Sequence, residues 1–175
     1  MSKKLIVQDL IGVWLLLGGC FIGGLAVNEI RPRPFSLVYF SPESRLNQAV
    51  EQLRSFSPTA SVVLDRDVNL EEMQTITLKH TALIIDARPE DFYRLGHIPS
   101  ALSLPRSDFK KKYQALQSTL QSHRDMPLIV YCSSSYCHDS QMVAGALQEL
   151  GYPHVRLFRG GWRDWKDASL QEEKE

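Results

Sequence analysis

The chain has 175 residues, 20 Lys and Arg against 20 Asp and Glu, 43% hydrophobic side chains and three cysteines. That length allows one compact domain with a short extension and excludes a barrel enzyme or a multi-domain machine. Zero net charge argues against a nucleic-acid binder working by phosphate neutralisation, near-average composition excludes global disorder, and three cysteines are too few for a disulfide scaffold.

The mean hydropathy of -0.21 averages two unlike regions. After a short tail, residues 1–9, the run from Leu10 to Val27 (LIGVWLLLGGCFIGGLAV) holds no charged side chain. At about 1.5 Å per residue it reaches about 27 Å, close to the hydrocarbon core of a bilayer. Lys3 and Lys4 precede it, and Arg31, Pro32, Arg33 and Pro34 end it, as headgroup anchors and helix stops would. The reading is an uncleaved transmembrane helix at 10–27 in contact with lipid. Leu17-Gly18-Gly19-Cys20 is a lipobox-like alternative, but Phe21 to Val27 stay apolar beyond the cysteine. Gly19 and Gly23 form a GxxxG spacing that permits close packing with a second copy or a membrane-protein partner. Flanking positive charges are nearly balanced. A basic tail left inside, as in a signal anchor, places the rest of the chain outside the cytoplasm of a bacterial inner membrane.

Residues 28–60 read as a proline-punctuated connector with one amphipathic helix at about 42–55, where Ser41 is the N-cap and Leu46, Ala49, Val50 and Leu53 share a face. From Ser61 strands and helices alternate. A strand is expected at 61–64, a helix at 69–77 and a continuous apolar strand at 82–85. Phe92, Leu95 and a GHIP tract follow. A strand is expected at 101–104, then a helix capped by Ser107 that carries Phe109, Tyr113, Leu116 and Leu120. Pro127 opens a strand over 128–131. Ser140 begins a helix that Gly151 ends. A last strand at 154–158 turns through Gly160-Gly161 into a helix around 162–168. Lys110, Lys111 and Lys112 read as a solvated face and QEEKE, 171–175, as a solvated end. The order predicts an α/β open sheet over 61–170, buried on both faces. Ligands in such sheets sit at the carboxyl ends of strands, which directs attention to the loop after Tyr131.

That loop reads Cys132-Ser133-Ser134-Ser135-Tyr136-Cys137-His138-Asp139-Ser140. Inward backbone N–H groups and the start of a helix favour an anion. A cysteine placed there is drawn toward thiolate; elsewhere it would read as a small buried residue. Cys137 could resolve a persulfide on Cys132 by forming a disulfide, act as a reversible redox switch, or be structural. Cys132, Cys137 and His138 offer three ligands with no fourth candidate nearby, so no metal is expected.

Three segments carry a resemblance. Residues 84–105, IIDARPEDFYRLGHIPSALSLP, with Asp86, Arg88, Gly96, His97, Ile98 and Pro99, resemble the first signature of the rhodanese family. Residues 129–152 resemble its active-site strand, loop and helix. Phe158-Arg159-Gly160-Gly161-Trp162 resembles its closing GGW motif. The resemblance implies a rhodanese-like sheet flanked by helices and a sulfurtransferase with Cys132 as the sulfur carrier. It implies a sulfur donor and a thiol acceptor as partners, and no metal or organic cofactor. Asp86 is expected to organise the active-site loops by accepting backbone hydrogen bonds, the alternative being an ion pair with Arg88. His97 is expected to clamp its loop. The sequence departs from the family in its active-site loop: the loop from Cys132 holds no Arg or Lys, Asp139 precedes Ser140, the loop is longer by about two residues, and Cys137 is a second cysteine within it. This weakens thiosulfate as the donor and argues against phosphatase or arsenate-reductase chemistry of the Cys-x5-Arg type, since His138 stands where the arginine would be. A non-catalytic interaction or redox-sensing module using Cys132 and Cys137 is the alternative.

Overall fold

Four short parallel strands hold the apolar runs at the centre of the molecule, in a computed structural model that describes residues 41–54 and 67–175. The predicted span 10–27, with Gly19 and Gly23, and the predicted strand at 61–64 lie outside the described residues. Among the described residues no helix is long and apolar enough to cross a membrane.

In chain order the elements are α1 (Pro42–Arg54), α2 (Leu70–Lys79), β1 (Leu83–Asp86), α3 (Glu90–Leu95), β2 (Leu102–Ser103), a 3-10 turn (Arg106–Asp108), α4 (Phe109–Ser122), β3 (Leu128–Tyr131), α5 (Asp139–Glu149), β4 (Val155–Phe158) and α6 (Gly161–Asp167). The sheet order is β2-β1-β3-β4. Ile85 pairs with Leu102 and Val130, and Val130 with Leu157. Because side chains alternate along a strand, each strand feeds both faces. Ile85, Leu128, Val130, Val155 and Leu157 pack toward α1, α4 and α5. Ile84, Ile129, Tyr131 and Phe158 pack toward α2, α3 and α6. The result is three layers with no solvated sheet face, the arrangement parallel strands require.

Local chemistry sets the boundaries. Asn69 caps α2, its Oδ1 accepting from the Glu72 amide at 2.8 Å. Gly151 ends α5 at φ +88°, with its own amide bonded to the Gln148 carbonyl and the Tyr152 amide to that of Leu147. This is a Schellman end, which requires a residue free to adopt positive φ.

Several expectations need correction. Ser107 does not cap α4. It lies inside the 3-10 turn, and the helix begins at Phe109 with no side-chain cap. The strand expected at 101–104 is only Leu102–Ser103. Helix α3 occupies a stretch with no helical periodicity, and its Phe92 and Leu95 are exposed. The helix that the sequence places in a connector is part of the core: Leu46, Ala49 and Leu53 are buried in the same cluster as α5. Residues 171–175 are not simply solvated. Glu173 exchanges both backbone hydrogen bonds with His97, and the Gln171 carbonyl accepts from Trp165 Nε1 at 2.8 Å. Lys112 is held by Glu90 at 2.5 Å and Lys110 by Asn47 at 2.9 Å.

Candidate active site

Strands β1 and β3 deliver the site, because both end at the same level of the sheet, with Asp86 opposite Tyr131. Cys132 follows Tyr131 directly and is buried. Ser133, Ser135, Tyr136 and His138 are exposed, while Ser134, Cys137 and Asp139 are half-buried. Ser134 to Cys137 form a turn closed by a 3.0 Å bond from the Cys137 amide to the Ser134 carbonyl. His138 is the N-cap of α5, and Ser140 is buried in its first turn. The helix therefore begins at Asp139, one residue before the predicted Ser140.

The loop is fastened from behind by α6. The amides of Trp162 and Arg163 donate to the carbonyls of Cys132 and Ser133 at 2.8 and 2.9 Å. Gly161 makes this approach possible. It sits at φ +63°, and a Cβ there would fall on the Cys132 carbonyl. The GGW motif is thus a backbone clamp on the cysteine loop.

Cys132 and Cys137 are joined as a disulfide, with their Cα atoms 6.1 Å apart. A sulfur of each and a carboxylate oxygen of Asp139 lie within 4.8 Å of one another. Joined sulfurs offer no thiolate, so this trio in its present state is not a set of metal ligands. His138 is not among the three.

The supporting residues form a second cluster. Asp86 is fully buried and receives Arg88 Nη2 at 2.6 Å, Arg88 Nε at 3.0 Å, the Arg88 amide at 2.9 Å and the Tyr131 hydroxyl at 2.5 Å. The ion pair with Arg88 and one backbone bond therefore coexist. Arg88 also donates to the Gly96 carbonyl at 2.7 Å and lies 4.6 Å from the Trp162 ring centroid, a cation–π geometry. Burial works against the Arg88 charge, and the bonds to Asp86 overcome it, holding the guanidinium above its ordinary value. Burial, then the Asp86 charge, hold the Tyr131 phenol well above the usual tyrosine range. His97 stacks on Tyr93 at 3.8 Å between centroids, and its Nδ1 lies 3.0 Å from the Tyr93 carbonyl. With its backbone bonds to Glu173, these contacts hold the GHIP turn.

Sequence reasoning missed three contributors. Tyr131 reads only as a core strand residue. Glu173 reads as solvated. Arg106 draws no reading between the strand expected at 101–104 and the helix expected from Ser107, yet its Nη1 donates to Asp139 Oδ1 at 3.2 Å, while its Nε and Nη2 donate to the Leu53 carbonyl at 3.2 and 3.0 Å. The loop that lacks a cation in sequence thus meets one in space. A cavity of about 470 Å3 lies beside this pair, lined by Val50, Leu53, Ala87, Arg106, Phe109 and Asp139 among others.

The pattern of the rhodanese-like domain matches residues 69–168. The chain is 32% identical over 144 residues to 3-mercaptopyruvate sulfurtransferase of Escherichia coli K12, an alignment covering 71% of this chain and 46% of that protein. It is 32% identical over 91 residues to the adenylyltransferase and sulfurtransferase UBA4 of Candida albicans, covering 51% of this chain and 20% of that one. It is 30% identical over 92 residues to the uncharacterized protein YibN of E. coli K12, covering 53% and 61%. The chain thus spans about half the length of the E. coli sulfurtransferase and about a fifth of the Candida protein. Among solved structures, the BH2092 protein of Bacillus halodurans superposes with a TM-score of 0.55 at 18% identity, covering 77% of this chain and 87% of that one. A rhodanese-related protein of Thermoplasma volcanium superposes at 0.51 and 20% identity, covering 63% and 100%. These two likenesses are of fold.

Proposed function

Because the chain belongs to the rhodanese-like domain family, we propose that it is a sulfurtransferase that carries sulfane sulfur on Cys132. In this reading the reduced Cys132 thiolate attacks the outer sulfur of a donor. With a persulfide donor, the donor's S–S bond breaks, a new S–S bond forms on Cys132, and the electron pair leaves on the donor thiolate. With thiosulfate the leaving group is sulfite. An acceptor thiolate then takes the outer sulfur and returns Cys132 to thiolate. Alternatively Cys137 attacks Cys132 Sγ, expels hydrosulfide and leaves the Cys132–Cys137 disulfide, which a dithiol reductant reopens.

The observation that supports this reading most is the pairing of Cys132 with Cys137 in a loop fastened at the carboxyl end of β3. The charge-free run 10–27 supports a single-pass anchor and a domain outside the cytoplasm of a bacterial inner membrane, with Gly19 and Gly23 as the contact for a second copy or a membrane protein. An anchor would concentrate the domain with its donor and acceptor.

The test is intact mass after reduction of the full chain and incubation with thiosulfate or, separately, glutathione persulfide. One added sulfur atom is expected in Cys137→Ser, where no second thiol can expel it, and it should disappear when Cys132→Ser is added. No adduct from either donor would remove the sulfurtransferase reading. The same disulfide favours a second reading, a redox-sensing module. That reading predicts no adduct in Cys137→Ser, and in the wild-type chain full, reversible formation of the Cys132–Cys137 link in peptide maps.

A further inference from the structure

We propose that Arg106 is the positioning residue that neutralises Asp139 beside the two sulfurs, so that the cation missing from the cysteine loop is supplied by the turn after β2. The proposal rests on the reading of Cys132 as the reacting thiol, and names how that site tolerates an anion.

Asp139 has a structural reason to be where it is. It opens α5, where the helix dipole and free amides favour a carboxylate. Its carboxylate also comes within 4.8 Å of both cysteine sulfurs. There it opposes any negative charge that develops on them, through a contact too short for salt to screen fully. Among the described residues the basic side chain paired with Asp139 is Arg106. Arg106 is not free to swing away. Two of its nitrogens are held by the Leu53 carbonyl at the C-terminal turn of α1, an end that itself favours a cation. The third reaches Asp139 Oδ1. Only a guanidinium spans two acceptors in this way. Helix α1, the 3-10 turn and α5 thus meet at one charge, on the wall of the cavity that also holds Ala87 and Phe109.

The experiment measures how fast iodoacetamide, a neutral reagent, alkylates Cys132 in the reduced full chain at fixed pH and low salt, with peptide mapping to separate Cys132 from Cys137. Arg106→Gln should slow the reaction about five- to tenfold, because the uncovered carboxylate disfavours the thiolate. Arg106→Lys keeps the charge but loses the fork that spans both acceptors, so its rate should fall between wild type and Arg106→Gln. Arg106→Gln with Asp139→Asn should return to about the wild-type rate, since the offending charge has gone with its partner. Added salt should shrink the Arg106→Gln effect. A wild-type rate in Arg106→Gln, or a double variant as slow as the single one, overturns the proposal. Thermal melts of each variant exclude unfolding as the cause of slowing. The readout does not depend on sulfur transfer. Failure of the sulfurtransferase reading shows instead as no mass gain in Cys137→Ser, where the added sulfur cannot be expelled.

Discussion

The Tyr131 hydroxyl donates to Asp86 Oδ2 at 2.5 Å, joining two residues that are also register partners on adjacent parallel strands. The same hydroxyl accepts from the Ile98 amide at 3.2 Å. The phenol therefore ties the end of β1 to the GHIP turn, and Asp86 ties it to Arg88. Removing one partner from such a buried set leaves a charge without compensation. Asp86→Ala should lower stability by about 3 to 5 kcal/mol through the stranded Arg88, and Tyr131→Phe by about 1 to 3 kcal/mol. Urea unfolding checks both. Equal and small losses would contradict the network.

The raised Tyr131 phenol sets a sign for alkaline pH. Burial first, then the Asp86 charge, keep its proton on in the folded chain beyond the pH at which the unfolded chain releases it. The folded state therefore holds more protons above about pH 10, so stability present below that value is lost as pH rises. Burial also raises Tyr93, to about 12, which adds in the same direction. The unfolding midpoint should fall between about pH 9 and about pH 11, and less steeply in Tyr131→Phe. A flat profile would mean that the phenol is not held as described.

Gly161→Ala tests the clamp behind the cysteine loop. The substitution meets both a positive φ and the Cys132 carbonyl, and should cost about 2 kcal/mol or more. Gly160→Ala would sit at an ordinary φ of -55° and meet the Asp164 side chain rather than backbone; it is expected to be milder, because the carboxylate can turn aside and leave only the 2.9 Å contact with Asp164 Cβ. Thermal melting of the two variants should rank them in that order. Loss of persulfide formation in Gly161→Ala at a temperature where it is still folded would place the effect in the loop.

Deleting residues 171–175 should loosen the GHIP turn. It removes the two backbone bonds between Glu173 and His97, the Glu173 contact to the Ser100 amide and the Gln171 acceptor of Trp165. A loss of about 1 to 2 kcal/mol is expected. Amide exchange at His97 and Ser100 should quicken, and exchange in β3 should be little changed. Unchanged exchange at His97 would return the segment to the solvated role read from sequence.

The strands, most helices and the place of the cysteine loop are legible in the sequence because they depend on short-range patterns. Apolar runs bounded by Pro127 and Gly151 mark β3 and α5. What the sequence hides is long-range or negative. Helix α3 has six residues and leaves Phe92 and Leu95 exposed, so no apolar period announces it. The 3-10 turn takes Ser107 out of the cap position because Pro105 sets an extended approach before the chain coils. The Arg106–Asp139 pair joins residues on separate elements, and composition treats the two charges as cancelling wherever they lie. Asp86 is legible as important, but its bond to Tyr131 needs the strand register. The Cys132–Cys137 pairing is one of several readings in sequence, and the structure brings the two sulfurs together.

Alternation along β3 divides labour across the sheet. Tyr131 points with Ile129 toward α2, α3 and α6 and meets the buried Asp86–Arg88 charges there. The cavity at Asp139 is walled by α1 and the turn after β2 on the other side. For protein engineering this is a partition. Val50, Arg54 and Ser107, which line that cavity without being fully buried, can be exchanged to reshape it, while the charged framework that holds the fold stays untouched behind the strands. Libraries confined to these exposed and half-buried cavity positions should therefore yield folded proteins far more often than libraries of equal size built around Asp86.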